Sequence, residues 1–420
     1  MSELIDNQRQ RRETLKQIIL DIHQNKNPQE LKERFRELLS DVGATEIAAL
    51  EQELIQEGLP AEEIKSLCDI HVSVFQDSLD KQPKSQELGG HPVHTFRKEN
   101  QAITQVVQGI RPILEEILQN NTDLNLAAKL KDWQSLHNQL LEIEKHFSRK
   151  ENILFAYLEK HGVSGPPKVM WAIQDDIRAQ LKQISPGLSN PQVDINSLTK
   201  LIQATALPVL QAIEDLIYKE ENIMFPMSMD TLTEGEWAAV AEQSSEIGYT
   251  LVEPDHAWIP SAPPEPPVDP GAFSTNQHAG KNGFQALLPF ETGALTLEQI
   301  SLIFNHLPVD ITFVDDRDLV RYFSYGRERI FQRSKAIIGR NVKDCHPPDS
   351  VHIVTKIVGD FKSGKRDSAE FWIHMNEQYV YIQYFALRDA DGTYRGTIEV
   401  TQDVQKIQAL QGEKRIYSEG

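Results

Sequence analysis

Residues 146–155 read HFSRKENILF, and seventy positions later, at 216–225, the chain reads LIYKEENIMF. A shorter echo, HTFRKENQAI, fills 94–103. At 100° per residue, Leu140, Glu144, Phe147, Leu154, Phe155 and Leu158 fall within about 60° of Glu151. The same phase gathers Leu207, Leu210, Glu214, Ile217, Met224 and Phe225 around Glu221. Each copy is therefore an amphipathic helix that carries two glutamates, seven residues apart, on its apolar stripe. Glu99 has weaker company in Phe96, Ala102, Ile103 and Val106. Helices of this kind bury their stripes against one another, so the repeat predicts a helical bundle. His146 lies about 140° from Glu151 on the same wheel, at the stripe's edge beside Glu142, Arg149, Lys150 and Lys160.

A carboxylate on an apolar stripe is costly unless it is paired, hydrogen-bonded, protonated or bound to metal. Two readings follow. In one, His94, His146, Glu144, Glu151, Glu214 and Glu221 supply a carboxylate-rich metal site inside the bundle. In the other, each glutamate meets an Arg or Lys, or lies at the edge of its stripe, and Arg149 and Lys150 stand close enough to do this.

The chain has 420 residues, which calls for two or three domains. Residues 1–250 have mostly helical periodicity. A first helical block is expected over 1–82. There Cys68 and His71, three apart, are either joint ligands or a packed thiol and a surface imidazole. A bundle is expected over 91–250, with helices near 92–120, 123–161, 166–185 and 194–227. The stretch 253–293 is rich in Pro, Gly and Ala and reads as a linker. From 295 to 407 the texture is α+β. DITFVD and LVRYFS form a hairpin, helices follow, and SAEFWIHM, QYVYIQYFAL and GTIEVTQDV make a three-strand meander. The expected fold class is multidomain: an all-α N-terminal half with a four-helix up-down bundle, then an α+β domain with a five-stranded antiparallel sheet. The formal charge of −19 argues against nucleic acid and an anionic membrane surface as partners. Two cysteines make no disulfide framework, and no run approaches the roughly 18 apolar residues of a membrane span. A cytoplasmic protein is expected.

The stretch HFSRKENILF resembles the hemerythrin-like (HHE) family, in which a His, a Phe and an acidic pair precede LF. The resemblance covers about 91–235 and implies a four-helix bundle with non-haem iron. Carried over by position, His94 (or His91) matches the histidine of helix one and His146 that of helix two. Lys150 stands where a bridging carboxylate is expected, and Gln174 where helix three carries a histidine. In helix four Leu216 replaces a histidine while Glu220 keeps the carboxylate. The resemblance therefore implies an altered or lost metal site. Residues 13–79, through ELIQEGLPAEEIKSLCDIHVSVF, resemble an uncharacterised helical domain that precedes such bundles in bacterial proteins.

Residues 295–405 resemble a PAS domain, through LPVDITFVDDRDLVRYFS, IIGRNVKDCHPPDS, FKSGKRDSAEFWIHM and LRDADGTYRGTIEVTQDV. PAS domains sense small molecules, redox state or light, or mediate dimerisation. The resemblance implies haem b as the cofactor, with His352 on the long helix as axial ligand and His346 and Cys345 as weaker alternatives. The whole reads as a gas or redox sensor signalling to an unidentified protein partner or through a homodimer. The rival readings are a non-haem iron or haem enzyme acting on oxygen, nitric oxide or peroxide, and a scaffold without cofactor. Catalysis is the less favoured of these.

Overall fold

The computed structural model describes residues 13–14, 16–17, 30, 89–119, 125–189, 194–254, 258, 287–290, 292–326, 329–375 and 378–412. Cys68, His71 and most of the first helical block and the Pro-rich stretch lie outside these residues. The chain divides into two compact units, Met1–Pro266 and Pro267–Gly420.

In the first unit α1 spans Pro92–Leu118. Pro92 occupies its first turn, where no amide partner is lost, and His91 Nδ1 caps it by accepting from the Val93 amide at 3.2 Å. The second rod is composite: α2 (Leu126–Leu140), α3 (Ile143–Arg149), a π-turn (Lys150–Leu154) and α4 (Phe155–Lys160). α5 spans Gly165–Ser189. The fourth rod contains α6 (Ile195–Leu201), a π-turn (Ile202–Ala206), α7 (Leu207–Lys219), a second π-turn (Glu220–Met224) and α8 (Phe225–Thr231). α1 packs on α2, α2 on α5, α5 on α7 and α7 back on α1, which closes a ring of four. Short connections make successive rods antiparallel.

The apolar stripes read from the sequence line this ring. Phe96 stacks on Phe225 with centroids 5.7 Å apart, and Phe147, Leu154, Phe155, Leu210 and Met224 are buried. Each such side chain contributes about 1.5–3 kcal/mol on burial. A fifth helix, α9 (Glu234–Ile247), packs on α3 and α1. It starts at a capping box: Thr233 Oγ1 accepts from the Glu236 amide while Glu236 accepts from the Thr233 amide. The sequence reading placed no helix here.

In the second unit a β1–β2 hairpin (Leu288–Phe290, Gly293–Leu295) precedes α10 (Leu297–His306). The sheet comprises β3 (Asp310–Asp315), β4 (Val320–Phe323), β5 (Ser368–Met375), β6 (Gln378–Arg388) and β7 (Tyr394–Asp403). Its order is β4-β3-β7-β6-β5, antiparallel throughout. Two short 3-10 turns, Lys335–Ile337 and Val342–Cys345, lead into α11 (Pro348–Lys362). α12 (Gln405–Gln408) follows β7. Gly396, opposite Asp315, has φ 149°, and a Cβ there would lie 2.3 Å from Val314 O, so β7 can approach β3 only with glycine at that position. No helix of the described residues is long and apolar enough to cross a membrane.

Candidate functional site

The second rod is buried on almost every side. From His146 to Leu158 every residue but Asn152 is buried, because α9 and the segment after it cover the face that the ring leaves open. The residues that the helical wheel put at the stripe's edge therefore point into a second, polar layer of the core.

His146 is the centre of that layer. Its Nδ1 lies 2.8 Å from Glu99 Oε2 and its Nε2 3.0 Å from Glu220 Oε2. Arg149 donates to the same Glu99 oxygen, and Lys150 Nζ donates to Glu220 Oε1. The other Glu99 oxygen accepts from the Thr250 amide at 2.6 Å. Thr250 itself is fully buried, and its hydroxyl accepts from the His146 amide (3.0 Å) and donates to Glu142 O (2.9 Å). The strand of chain leaving α9 is thus tied into the network, with Leu251 at φ 61° to make the turn. The Arg149 guanidinium lies over the Phe96 and Tyr249 rings at 4.5 and 4.7 Å.

A second cluster adjoins the first. Gln174, with its amide oriented to satisfy both neighbours, accepts from Lys150 Nζ (2.9 Å) and donates to Glu151 Oε1 (2.6 Å). Arg178 grips Glu151 with two parallel bonds, Nη1 to Oε1 at 2.8 Å and Nη2 to Oε2 at 2.9 Å, and also reaches Glu144 and Asp175. Burial tends to raise the Glu220 carboxyl, but Lys150 and His146 overcome it and hold the group down at about 2. At Glu151 burial prevails over Arg178 and pushes the carboxyl up to about 7. Burial lowers Lys150, against the pull of Glu220. Three buried carboxylates, Glu99, Glu151 and Glu220, thus face three cations, Arg149, Arg178 and Lys150.

The residues expected as metal ligands do not converge. His146 and Glu151 are in the core, in adjoining clusters. Glu144 has a side chain 54% exposed and is held by Arg178. Glu214 pairs with Arg111, and Glu221 with Arg97 and Asn100. His94 is half-buried and outside the network. His91 has its Nδ1 occupied in capping α1 and its ring against Trp237 and Trp258, each at 4.8 Å. Burial, with His94 adding to it, holds that imidazole down at about 4. α1 therefore presents Glu99, not a histidine. Among the described residues no group of three or more His, Cys, Asp or Glu side chains is placed to hold a metal ion.

In the second unit a cavity of about 390 Å3, counting its open mouth, lies between α11 and the sheet. Val314, Val342, Val354, Ile357 and Val358 make its apolar wall, and His346, Tyr384, Thr397 and Glu399 its polar one. His352 is exposed and is not among the lining residues. It lies about 160° around α11 from Val354, so the helix that was expected to aim it inward aims it out. His346 is half-buried, and its Nδ1 is 2.7 Å from Val342 O. Cys345 packs against Val314, Val320 and Ile337, with its Sγ 3.6 Å from Asn341 O, and does not line the cavity.

Residues 91–228 match the hemerythrin HHE cation binding domain. Residues 15–81 match a family of unknown function, DUF438, and residues 300–405 match a PAS domain family. Among solved structures, a C-terminal domain from Streptococcus mutans is 34% identical over 30% of this chain and 99% of its own, with a TM-score of 0.30. A PAS domain from Colwellia psychrerythraea is 17% identical over 26% of this chain and 98% of its own, with a TM-score of 0.22. The Vibrio cholerae VqmA dimer is 25% identical over 27% of this chain and 54% of its own, also with a TM-score of 0.22. No curated protein matches the chain. The chain carries, in order, a DUF438 segment, a hemerythrin HHE domain and a PAS domain.

Proposed function

We propose that this protein is a cytoplasmic sensor whose PAS unit takes a small organic ligand and whose bundle balances its own buried charge instead of holding iron. The observation that carries the ligand reading is the cavity between α11 and the sheet, with valines and Ile357 on one side and His346, Tyr384, Thr397 and Glu399 on the other. A cleft between a helix and a sheet that combines apolar walls with a few polar groups is the kind of site that takes small organic molecules.

Haem b does not fit this cavity. His352 is on the outside of α11 and does not line the cavity. Iron does not fit the bundle either. The carboxylates that would bind it already accept from Arg149, Lys150 and Arg178, and the one imidazole among them has a carboxylate on each nitrogen. A divalent ion would add charge to a cluster that side chains already balance, and burying unbalanced charge is costly.

Output through a second copy or another protein is part of the proposal. Leu302, Ile303 and Phe304 on α10 and Trp372 on β5 expose apolar surface suited to it. The ligand reading is tested by native mass spectrometry of the full chain purified from cells, compared with a Val354→Trp variant that fills the cavity. A small organic adduct carried by the natural chain and lost in the variant is expected. Identical adducts on both would overturn the reading.

A further inference from the structure

β5 is an edge strand, and among the described residues it pairs with β6 alone. Natural edges are blunted by a lysine, a proline or a bulge. β5 reads SAEFWIHM, has neither residue, and keeps its register with β6 without a shift. None of its residues is buried, and Trp372 is 57% exposed. Alternation puts Glu370, Trp372 and His374 on one face of the sheet and Phe371 and Ile373 on the other. Cross-strand neighbours orient the polar pair. Glu370 accepts from the Tyr381 hydroxyl, and the His374 ring lies against the Tyr379 ring with centroids 4.5 Å apart.

The main-chain groups at the open edge can be assigned. Ala386 N donates to Asp367 O at 2.9 Å, so residue 367 turns its main-chain groups toward β6. That direction alternates along the strand. Phe371 and Ile373 therefore face β6 as Asp367 does, while Glu370, Trp372 and His374 turn their N–H and C=O to the open edge. We propose that β5 pairs antiparallel with β5 of a second copy, on a two-fold axis through Trp372. The inference rests on the output reading above and names its surface and its partner. Residues that face each other across such a ladder both turn outward or both inward, so the axis passes through a residue and not between two. Through Trp372 it sets Glu370 opposite the partner's His374, and Phe371 opposite the partner's Ile373. A carboxylate meets an imidazole twice, apolar side chains meet apolar ones, and the two indoles meet each other. Pairs of these kinds stabilise antiparallel strands. An axis through Phe371 would set Glu370 against an indole. An axis through Ile373 would carry Glu370 past Met375, where β5 ends. β5 thus complements itself in one register, which points to a second copy and not to an unrelated strand.

The test is sedimentation of the full chain and of Glu370→Lys and His374→Glu, with circular dichroism to show that each variant folds. The natural chain is expected to be a dimer. Each variant alone should dimerise about tenfold more weakly or worse, since it loses both attractive pairs or makes them repulsive. Mixed, the two should pair with each other to within about threefold of the natural affinity, because Lys then faces Glu and His faces Glu. A dimer that neither substitution weakens would overturn pairing through β5 and leave output through another surface standing. Failure of the mixture to recover would overturn the register and the proposal with it. A natural chain that stays monomeric would overturn the second copy altogether. Hydrogen exchange at the Trp372 amide of the natural chain decides the matter even if a variant does not fold. It should slow as the chain dimerises, and fast exchange in the dimer would overturn the proposal.

Discussion

At the residue scale, Lys150 governs the electrostatics of the bundle core. It is fully buried, bonded to Glu220 and within reach of the Gln174 amide oxygen. Removing its ammonium leaves the buried Glu220 carboxylate with only His146 beside it, so Lys150→Met is predicted to cost about 3–5 kcal/mol in denaturant unfolding followed at 222 nm. Replacing both partners, Lys150→Met with Glu220→Leu, should recover most of that loss, because two apolar side chains need no counter-charge. Two carboxyls give the bundle a pH profile with opposite limbs. Glu151, raised to about 7, contributes stability that is present below its unfolded value and lost as pH rises through 7. Glu220, held at about 2, contributes stability present above its unfolded value and lost as pH falls toward 2. Bundle stability should therefore peak on the mildly acidic side of neutrality. A monotonic rise in stability from pH 5 to pH 8 would remove Glu151 from this account.

At the element scale, the π-turns and the segment after α9 shape the site. Thr250 joins that segment to the second rod through its hydroxyl. Thr250→Val deletes both hydroxyl bonds while keeping the amide bond to Glu99, and should cost about 1–3 kcal/mol. Hydrogen exchange at the His146 amide is the direct readout, and it should speed up more than at Phe155 in the same rod. The amphipathic repeat made the bundle legible, because its stripes depend only on 3.6-residue spacing, and period-2 alternation did the same for the sheet. SAEFWIHM was read as a strand with the limits that β5 has. Pairing of the glutamates with Arg or Lys was one of two readings the sequence left open, but which carboxylate meets which cation was not legible. A uniform wheel assumes one buried face, whereas the second rod is enclosed on all sides and a π-turn at Lys150–Leu154 alters its phase. His146 and Lys150 thus moved from the edge of a stripe to the centre of the core. Thr250, a hundred residues away in sequence, left no local sign at all. Arg178 could have been found by asking which charged residues the other helices turn toward Glu151.

At the scale of the whole molecule, the chain divides into two compact units. A ligand at one hundred times its Kd stabilises the unit it binds by about 2.7 kcal/mol. The small organic ligand of the PAS unit should therefore raise the unfolding temperature of that unit and leave that of the bundle unmoved, as calorimetry of the full chain would resolve. The central claim concerns the bundle, whose family is described as cation-binding while this core supplies its own cations. The direct measurement is the iron content of the full chain produced in iron-replete medium, beside a Lys150→Glu variant. The account predicts less than ~0.1 equivalent of iron in the natural chain. One or more equivalents in the natural chain, lost on His146→Ala, would contradict it.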